Sequence, residues 1–470
     1  MSNITKIKFG TDGWRAKMSD DFTLDNVKRV SYATALYLKN KIKDRPITVV
    51  VGYDRRKNSK LFALSAAEIF SSFNFVIYLF SQETPTQLVS FWVRQKKADL
   101  GVMLTASHNP AEYNGFKIKM PEGCSANNTL TDEIEKLIPD TCPEILAKAY
   151  KINVLYPRDE YFARLESLID FKKIKESAPQ IVIDPIFGSG AGFFPELFHK
   201  FEIANTEINS VRDENFGGLH PEPLAENVPG LMAAVKKLNS KYAVGLALDG
   251  DADRNGAVGT NGEFLNSQKV FCLLLHHLSQ NKKLTGKVVH AFNNSRLIGK
   301  LAKSYGHDVV ETKIGFKYIA DYILKEPVLL GGEESGGYAN STHLPDRDGI
   351  YNNLLLLELM ATEKKSLDEI YANLEQKFGK HEYLRRDLHL TDAQKIKFLD
   401  TLKNNPPKEF AGKKVSKIEN LDGYKLIFDD ESWILLRASG TEPLVRTYAE
   451  AKSVSEITQM LDFAQKVAIS

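Results

Sequence analysis

The sequence has little of what would mark a secreted, zinc-binding or membrane protein. Its 470 residues include three cysteines, and these are widely spaced with no C-x-x-C pair, so neither a disulfide framework nor a zinc site is expected. The N-terminus lacks the apolar region of a signal peptide, and no apolar run reaches the length of a transmembrane helix. We therefore expect a soluble cytoplasmic protein with no membrane partner.

An excess of charge of one sign is also lacking. The formal net charge is +2, from 62 basic and 60 acidic residues, and no basic tract predicts a nucleic-acid partner. No G-x-x-x-x-G-K-[ST] segment predicts a P-loop nucleotide site. The composition, with 43% hydrophobic and 26% charged residues, is that of an ordinary globular protein. At ~100–200 residues per domain, the length predicts three or four domains.

Strand and helix patterns alternate in the first part of the chain. Ile47–Val51 is a β-branched run, Phe75–Phe80 is a second strand candidate, and a helical pattern follows the possible N-cap Thr23. This alternation predicts βαβ units and a largely parallel sheet. The C-terminal part changes to strand segments around a helix, so the predicted class is α/β with a smaller α+β domain at the end. The predicted domains are 1–150, 151–258, 259–376 and 377–470.

A serine on a loop is the first candidate for chemistry. The apolar run Leu100–Leu104 predicts a buried strand, and Asn109 and Pro110 then stop regular structure. Ser107 and His108 are therefore expected on a loop at the carboxyl end of a strand, where open α/β sheets place their active sites. A serine needs a base, a lowered pKa or a metal nearby to act as a nucleophile. His108 alone is more often structural than catalytic.

The segment Asp249–Arg254 carries three carboxylates at alternate positions, from Asp249, Asp251 and Asp253. If the chain stays extended after the apolar strand, these side chains face one way and converge. Oxygen ligands of this kind suit Mg²⁺, which usually also takes a phosphate oxygen. An EF-hand is excluded because Arg254 holds the required glycine position and Thr260 the required glutamate position. A solvated acidic turn is the alternative.

The segment Arg437–Pro443 has the residues of a phosphate cradle. Gly440 lets backbone N–H groups approach an anion, while two hydroxyls and an arginine add donors, with Arg446 close behind. The alternative is an ordinary Ser-Gly turn.

The segment Gly331–Tyr338 has four glycines in its first seven residues, which permit close approach of the backbone to a ligand. Glu333 and Ser335 could bind sugar hydroxyls there. A flexible surface loop with solvated acids is equally compatible with this segment taken alone.

Weaker signals occur elsewhere. Gly10–Arg15, Asn114–Lys117 and Lys313–Lys317 each place a basic residue beside glycine, as anion contacts do, although each alone is more typical of a turn. The loop Gly188–Gly192 is similar to a dinucleotide-binding fingerprint, but Phe193 occupies the third glycine position, so this signal is weak.

Taken together and in this order, the motifs resemble the α-D-phosphohexomutase family, the phosphoglucomutase/phosphomannomutase group. The resemblance runs from Phe9–Gly13 to Arg437–Pro443, nearly the whole chain. It implies four domains around a central cleft, three of them similar α/β units and the last a phosphate-binding domain. It also implies that Ser107 carries the transferable phosphate, and that Mg²⁺ lies between this phosphoserine and the three aspartates of Asp249–Asp253.

The same resemblance implies roles for further residues. Arg15 and Lys117 would flank the phosphoserine, with Lys117 a general acid/base candidate and His108 assisting. Substrate contacts would come from eight residues: Arg254, Lys317, Glu333, Ser335, Arg437, Ser439, Gly440 and Thr441. Of these, Glu333 and Ser335 would bind the sugar hydroxyls, and the last four would hold the phosphate that is not reacting.

The implied reaction transfers phosphate between the 1- and 6-positions of a hexose phosphate through a 1,6-bisphosphate, with Mg²⁺ and glucose 1,6-bisphosphate as cofactors. Many phosphomannomutase-type and glucosamine-type members have a histidine where this chain has Gly337, and the Glu-Glu-Ser version is more similar to glucose-phosphate enzymes. Glucose phosphates are therefore the expected substrates, with mannose or glucosamine phosphates as alternatives. A metal-dependent phosphatase and a non-catalytic sugar-phosphate-binding regulator are the rival functions. We expect a monomer or homodimer.

Overall fold

The computed structural model describes residues 5–10, 12–144, 152–439 and 444–469. In this part of the chain the strands form four sheets, and each sheet belongs to its own layered unit. No described helix is both long enough and apolar enough to cross a bilayer.

The first unit is a mixed sheet covered by helices. Its elements are β1 (Trp14–Lys17), α1 (Leu24–Lys41), β2 (Thr48–Tyr53), α2 (Ser59–Ser72), β3 (Val76–Phe80), α3 (Thr86–Lys96), β4 (Leu100–Leu104), β5 (Tyr113–Lys119), α4 (Asn128–Glu135) and β6 (Ile152–Leu155). The strand order is β1-β5-β4-β2-β3-β6. Strands β4, β2, β3 and β6 are parallel, whereas β1 and β5 are antiparallel to their neighbours. The predicted N-cap is confirmed, because the Thr23 hydroxyl accepts the N–H of Asn26.

The second unit has a five-stranded sheet in the order β11-β10-β9-β7-β8. Its elements are α5 (Asp159–Glu166), α6 (Phe171–Ser177), β7 (Gln180–Asp184), α7 (Phe193–Lys200), β8 (Asn205–Glu207), α8 (Pro229–Leu238), β9 (Ala243–Leu248), β10 (Asn255–Val258) and β11 (Phe264–Leu265). Strands β9 and β10 form an antiparallel hairpin, which matters for the site below.

The third unit has a four-stranded sheet in the order β13-β12-β14-β15. Its elements are α9 (Ser267–His276), β12 (Lys287–Ala291), α10 (Arg296–Ser304), β13 (Val309–Thr312), α11 (Phe316–Lys325), β14 (Val328–Gly332), β15 (Tyr338–Ala339), α12 (Gly349–Glu363) and α13 (Leu367–Phe378). Every residue of α12 from Gly349 to Ala361 is buried, so this helix is a core element of the molecule.

The fourth unit is an antiparallel sheet in the order β16-β21-β20-β19-β18-β17, with two helices. Its elements are β16 (Glu382–His389), α14 (Asp392–Asn404), β17 (Glu409–Phe410), β18 (Lys413–Glu419), β19 (Tyr424–Phe428), β20 (Trp433–Ala438), β21 (Leu444–Ala451) and α15 (Val454–Ile469). The predicted class, three α/β units followed by an α+β unit, is confirmed.

The cores show how the units are joined. One continuous apolar cluster runs through the first three units and includes Phe91, Tyr161 and Leu355. The fourth unit has its own core and meets the third through a small cluster around Tyr383 and Trp433. The domain limits at residues 150, 258 and 376 stay a prediction; β6 and β11 pair with the sheets of the first and second units.

Candidate active site

Ser107 lies on the loop after β4, as the sequence predicts. Its backbone is in the left-handed region with φ of 53°, a conformation that costs a non-glycine residue about 1–3 kcal/mol. The Thr105 hydroxyl accepts the Ser107 N–H at 2.9 Å and helps to hold this turn. The serine is fully buried, beneath the floor of a cleft.

Arg56 holds the loop in place from the neighbouring strand end. Its guanidinium donates hydrogen bonds of 2.6–3.1 Å to four carbonyl oxygens, those of Ser107, Asn109, Pro110 and Tyr113. Its Nε lies 3.2 Å from Asp54 Oδ2, and its charge faces the Phe216 ring at 4.8 Å. Buried carbonyl groups need partners, and a guanidinium has enough donors in a fixed fork to satisfy all four. No motif in the sequence predicts this role for Arg56.

The three aspartates lie in the hairpin loop between β9 and β10. The chain is not extended there, so the expected reason for their convergence was wrong. It turns instead: Ala252 has φ of 59°, and its N–H donates to Asp249 O at 3.0 Å. The carboxylates of Asp249, Asp251 and Asp253 still converge, with one oxygen of each within 4.8 Å of the others, and all three are buried. A solvated acidic turn is therefore excluded.

Glycines allow the serine loop and the aspartate loop to touch. A Cβ on Gly250 would lie 2.6 Å from Ser107 O, and a Cβ on Gly188 would lie 2.7 Å from Gly250 O. The Ser189 N–H donates to that same Gly250 oxygen at 3.0 Å. In this structure the Gly188–Gly192 segment, which had weak similarity to a dinucleotide fingerprint, packs against the aspartate loop.

The nucleophile candidate is hydrogen-bonded to the acidic cluster. Ser107 Oγ donates to Asp249 Oδ2 at 3.1 Å and lies 3.5 Å from His108 Nδ1. Burial, reinforced by the charges of Arg254 and Arg15, holds the pKa of His108 well below the usual histidine value. The imidazole is therefore neutral at pH 7 and able to accept a proton.

The residues of the cluster fit a divalent cation. Asp251 Oδ1 and Asp253 Oδ1 are buried and have no hydrogen-bond partner, which is costly unless a further partner binds them. Burial, together with the neighbouring Asp251 and Asp253 charges, raises the pKa of Asp249 well above its usual range. Carboxylate oxygens are hard ligands of the kind that Mg²⁺ takes, and a cation would offset the repulsion between these three buried groups.

Arg15 and Lys117 lie next to Ser107, on β1 and β5. Lys117 Nζ donates to Asp251 Oδ2 at 2.8 Å and to Asp253 Oδ2 at 3.3 Å. Arg15 donates to Asn109 Oδ1 at 2.8 Å. Burial acts to lower the pKa of Lys117, but the surrounding carboxylates outweigh it and raise that pKa above the usual lysine value. Lys117 therefore stays charged in this group.

Arg347 and Asp12 belong to the same group of side chains, and the sequence analysis assigned neither a role. Arg347, from the segment before α12, donates to Asp253 Oδ2 at 2.7 Å and to Asp12 Oδ2 at 2.8 Å. Asp12 also pairs with Lys117 at 2.9 Å. A Cβ on Gly337 would lie 2.2 Å from Arg347 Cδ, so the glycine leaves room for the arginine. The local signal is the charged run Asp346–Asp348 before an apolar helix, and such a run is equally typical of a solvent-exposed turn.

The cleft above this group has a volume of about 570 Å³. It brings together side chains from all four units, and most of its charged groups are cations. The basic residues that line it are Lys8, Arg15, Arg254, Lys317, Arg347, Arg385, Arg437 and Arg446. A cleft so lined suits a ligand with negative charge at both ends.

The remaining predicted residues take separate places in the cleft. Glu333 and Ser335 follow β14 and line its wall, and burial raises the pKa of Glu333 above the usual glutamate value. Arg254 donates to Glu222 Oε1 at 2.9 Å, and Lys317 donates to Asn128 Oδ1 at 2.9 Å.

The predicted phosphate cradle is only partly within the described residues. Arg437, near the end of β20, lines the cleft with its Nε 3.1 Å from Asp422 Oδ1. Ser439 is buried, and its N–H donates to Leu444 O at 3.0 Å. Gly440 and Thr441 lie outside the described residues.

Comparisons with known proteins agree with this architecture. The phosphoglucomutase/phosphomannomutase family matches in four parts: α/β/α domain I over residues 6–142, domain II over 159–262, domain III over 266–378 and the C-terminal domain over 390–466. The fold and the matches together define a phosphohexomutase, an isomerase acting in carbohydrate metabolism. The chain belongs to the phosphoglucomutase/phosphomannomutase family.

Individual relatives differ in the sugar that they are named for. A phosphoglucomutase/phosphomannomutase of Thermococcus kodakarensis is 30% identical over 98% of both chains. A phosphoglucosamine mutase of Acetivibrio thermocellus is 29% identical over 94% of both chains. The crystal structure of a candidate phosphomannomutase from Thermus thermophilus superposes with a TM-score of 0.88 at 33% identity, covering 98% of this chain and 99% of that one.

Proposed function

We propose that this phosphohexomutase interconverts glucose 1-phosphate and glucose 6-phosphate, with phosphorylated Ser107 as the donor and glucose 1,6-bisphosphate as the intermediate. The observation that carries the proposal is the position of Ser107 Oγ. It lies 3.1 Å from Asp249 Oδ2 in the buried carboxylate cluster, beneath a cleft lined by cations. A serine so placed can be phosphorylated by, and return its phosphate to, a sugar phosphate held above it.

The proposed metal ligands are Asp249, Asp251 and Asp253, with the phosphate of Ser107 completing the set. Mg²⁺ bound there would neutralise charge on the transferring phosphoryl group. The chain adds its own cations around the same point, from Arg15, Lys117 and Arg347. Phosphoryl transfer depends chiefly on positioning and charge stabilisation, and both are provided by residues fixed on strands or in buried loops.

In the proposed forward step, the bond between Ser107 Oγ and phosphorus breaks while a sugar hydroxyl oxygen forms a bond to the same phosphorus. The hydroxyl proton must leave at the same time. The neutral His108 imidazole, whose Nδ1 lies 3.5 Å from Ser107 Oγ, is the proposed acceptor. When the bond between Ser107 Oγ and phosphorus breaks, the serine oxygen takes up a proton, and the Lys117 ammonium is its proposed donor. The second transfer runs the same step in reverse from the other end of the bisphosphate.

The far end of the cleft is proposed to hold the phosphate that is not reacting. Arg437 and Ser439, together with Gly440 and Thr441 of the same motif, would donate hydrogen bonds to it. Binding energy from a remote phosphate can orient the reacting end. Glu333 and Ser335 would bind the sugar hydroxyls between the two phosphates, and Arg254 and Lys317 would contact the substrate from the cleft walls.

Glucose is proposed as the sugar because of the segment that begins at Glu333. Its Glu-Glu-Ser sequence is similar to the same segment of enzymes that act on glucose phosphates. Many other members have a histidine at the position of Gly337, and here the glycine makes room for Arg347. Mannose and glucosamine phosphates are the alternatives, since relatives named for each match this chain.

Conversion of glucose 1-phosphate by the purified protein, with Mg²⁺ and a trace of glucose 1,6-bisphosphate, tests the proposal. Mannose 1-phosphate and glucosamine 1-phosphate run in parallel, and Ser107→Ala is the variant. We expect glucose 6-phosphate to form fastest and the variant to be inactive, with phosphate mapped to Ser107 by mass spectrometry. Activity that survives in Ser107→Ala, or free phosphate as the only product, would favour the phosphatase. Faster turnover of another sugar would reassign the substrate while retaining the phosphoserine.

A further inference from the structure

Helix α3 of the first unit begins against the aspartate loop of the second. The Thr86 N–H donates to Asp251 O at 2.9 Å, and the Thr86 hydroxyl donates to Asp251 Oδ2 at 2.5 Å. The next residue, Gln87, donates through its amide to Ala252 O at 3.0 Å. Thr86, Gln87 and Asp251 are completely buried. One helix start therefore holds two successive residues of the loop, 165 positions away in the chain.

The hydrogen bonds in the cluster divide the carboxylate oxygens into two groups. Asp251 Oδ2 accepts from Thr86 and Lys117, and Asp253 Oδ2 accepts from Arg347 and Lys117. Asp249 Oδ1 accepts the Arg254 N–H at 3.1 Å. In contrast, Asp251 Oδ1 and Asp253 Oδ1 have no hydrogen-bond partner. Asp251 and Asp253 thus each have one oxygen bound by the protein and one without a hydrogen-bond partner, whereas Asp249 also accepts from Ser107 through Oδ2.

We propose that Thr86 is a positioning residue that limits Asp251 to one metal-binding oxygen, and that it thereby sets the preference of the site for Mg²⁺ over Ca²⁺. The inference rests on the proposed metal site. Mg²⁺ takes six ligands in a small octahedron, whereas Ca²⁺ takes six to eight oxygens and readily uses both oxygens of a carboxylate. A carboxylate with one oxygen already bound by a fixed hydroxyl can bind Mg²⁺ through its other oxygen. The same hydroxyl hinders binding of Ca²⁺ through both oxygens.

Thr86 is better suited to this task than the other donor to the same oxygen. Lys117 divides its ammonium among Asp12, Asp251 and Asp253, so only one of its contacts goes to Asp251. Thr86 has a β-branched side chain with few rotamers, and its backbone N–H is already bound to Asp251 O. Its position at the start of α3 also places the positive end of the helix dipole beside the acidic loop. The hydroxyl direction is therefore set by the helix and not by the loop that it orients.

The test is calorimetric titration of MgCl₂ and CaCl₂ into the full-length protein after removal of divalent cations, with the phosphate content of Ser107 matched by intact mass. We expect Thr86→Val to weaken Mg²⁺ binding by about 10–100-fold, to weaken Ca²⁺ binding less, and so to shift the ratio of the two dissociation constants towards Ca²⁺ by about tenfold. Thr86→Ser, which keeps the hydroxyl, should restore most of the Mg²⁺ affinity.

The chain offers a matched control in Thr84. It is equally buried, but its hydroxyl has no hydrogen-bond partner, so Thr84→Val should leave both affinities unchanged. If Thr86→Val bound Mg²⁺ and Ca²⁺ with the affinities of the unchanged protein, the role of Thr86 would be overturned, whereas the proposed metal site would still be supported. Loss of Mg²⁺ and Ca²⁺ binding in equal proportion would overturn the selectivity role. Failure of the unchanged protein to bind Mg²⁺ would instead refute the proposed metal site. If Thr86→Val does not fold, Thr86→Ser against Thr86→Ala supplies the same comparison.

Discussion

Replacing Arg56 with lysine should loosen the Ser107 loop while keeping a positive charge beside Asp54. The guanidinium serves four loop carbonyls at 2.6–3.1 Å. An ammonium has three donors, and one of these is needed to keep the contact with the Asp54 carboxylate, which lies 3.2 Å from Arg56 Nε. At least two buried carbonyls then lose their partner, at about 1–3 kcal/mol each. We expect the free energy of unfolding to fall by about 2–6 kcal/mol.

The same change should slow catalysis, because the loop carries the proposed nucleophile, Ser107. Misplacement of a reacting group by about 1 Å costs on the order of a hundredfold in rate, so kcat for glucose 1-phosphate should fall by roughly that factor. The control is Arg55→Lys, because the neighbouring Arg55 is less buried and donates to Ser210 O at 2.8 Å, away from the serine loop.

Urea denaturation and steady-state kinetics of both variants test whether the Arg56 guanidinium holds the Ser107 loop. Arg55→Lys should stay within about 0.5 kcal/mol of the unchanged protein, as most surface substitutions do. If Arg56→Lys matched Arg55→Lys in both stability and kcat, the argument that the guanidinium fork holds the loop would be refuted.

Two further substitutions in the second unit test its packing and its electrostatics. Gly188→Ala would place a Cβ 2.7 Å from Gly250 O; we expect a loss of about 1–3 kcal/mol in denaturation and a weaker response to Mg²⁺, whereas Gly230→Ala, whose Cβ would have no neighbour closer than 3.9 Å, should be neutral or stabilising. Asp184→Asn should remove the cost of ionising this buried carboxyl but lose one acceptor, because Asp184 Oδ2 accepts from Asn209 at 2.9 Å and Oδ1 accepts the Ile186 N–H at 2.8 Å. Burial raises the pKa of Asp184 to about 6, so its contribution is fully present below about pH 3.9 and is lost as the pH rises through 6. With about 1.4 kcal/mol for each pKa unit, the stability of the variant relative to the unchanged protein should be about 3 kcal/mol more favourable at pH 7 than at pH 4, because the lost acceptor costs the same at both. An equal effect at both pH values would contradict the raised pKa of Asp184.

Much of the site could be predicted because its pieces are local. The strand Leu100–Leu104 and the loop after it are visible in hydrophobicity and in Asn109 and Pro110, so Ser107 could be placed at a strand end without coordinates. The acidic residues Asp249, Asp251 and Asp253 could be predicted as candidate cation ligands for the same reason. Even so, the local argument for their convergence assumed an extended chain, and the structure has a hairpin turn, because β9 and β10 pair antiparallel across those residues.

What the sequence by itself determined is therefore the order of elements, the family, and which side chains carry the charge. Hydrophobic periodicity and turn residues determine structure over a few positions, and both are clear in this sequence. Only the tertiary structure decided which groups hold the site together. Thr86 meets Asp251 over 165 positions, and Arg347 meets Asp12 over 335. Such contacts form because the polar groups at a buried helix start and buried charges need hydrogen-bond partners. Which partner lies nearby depends on how all the units pack together.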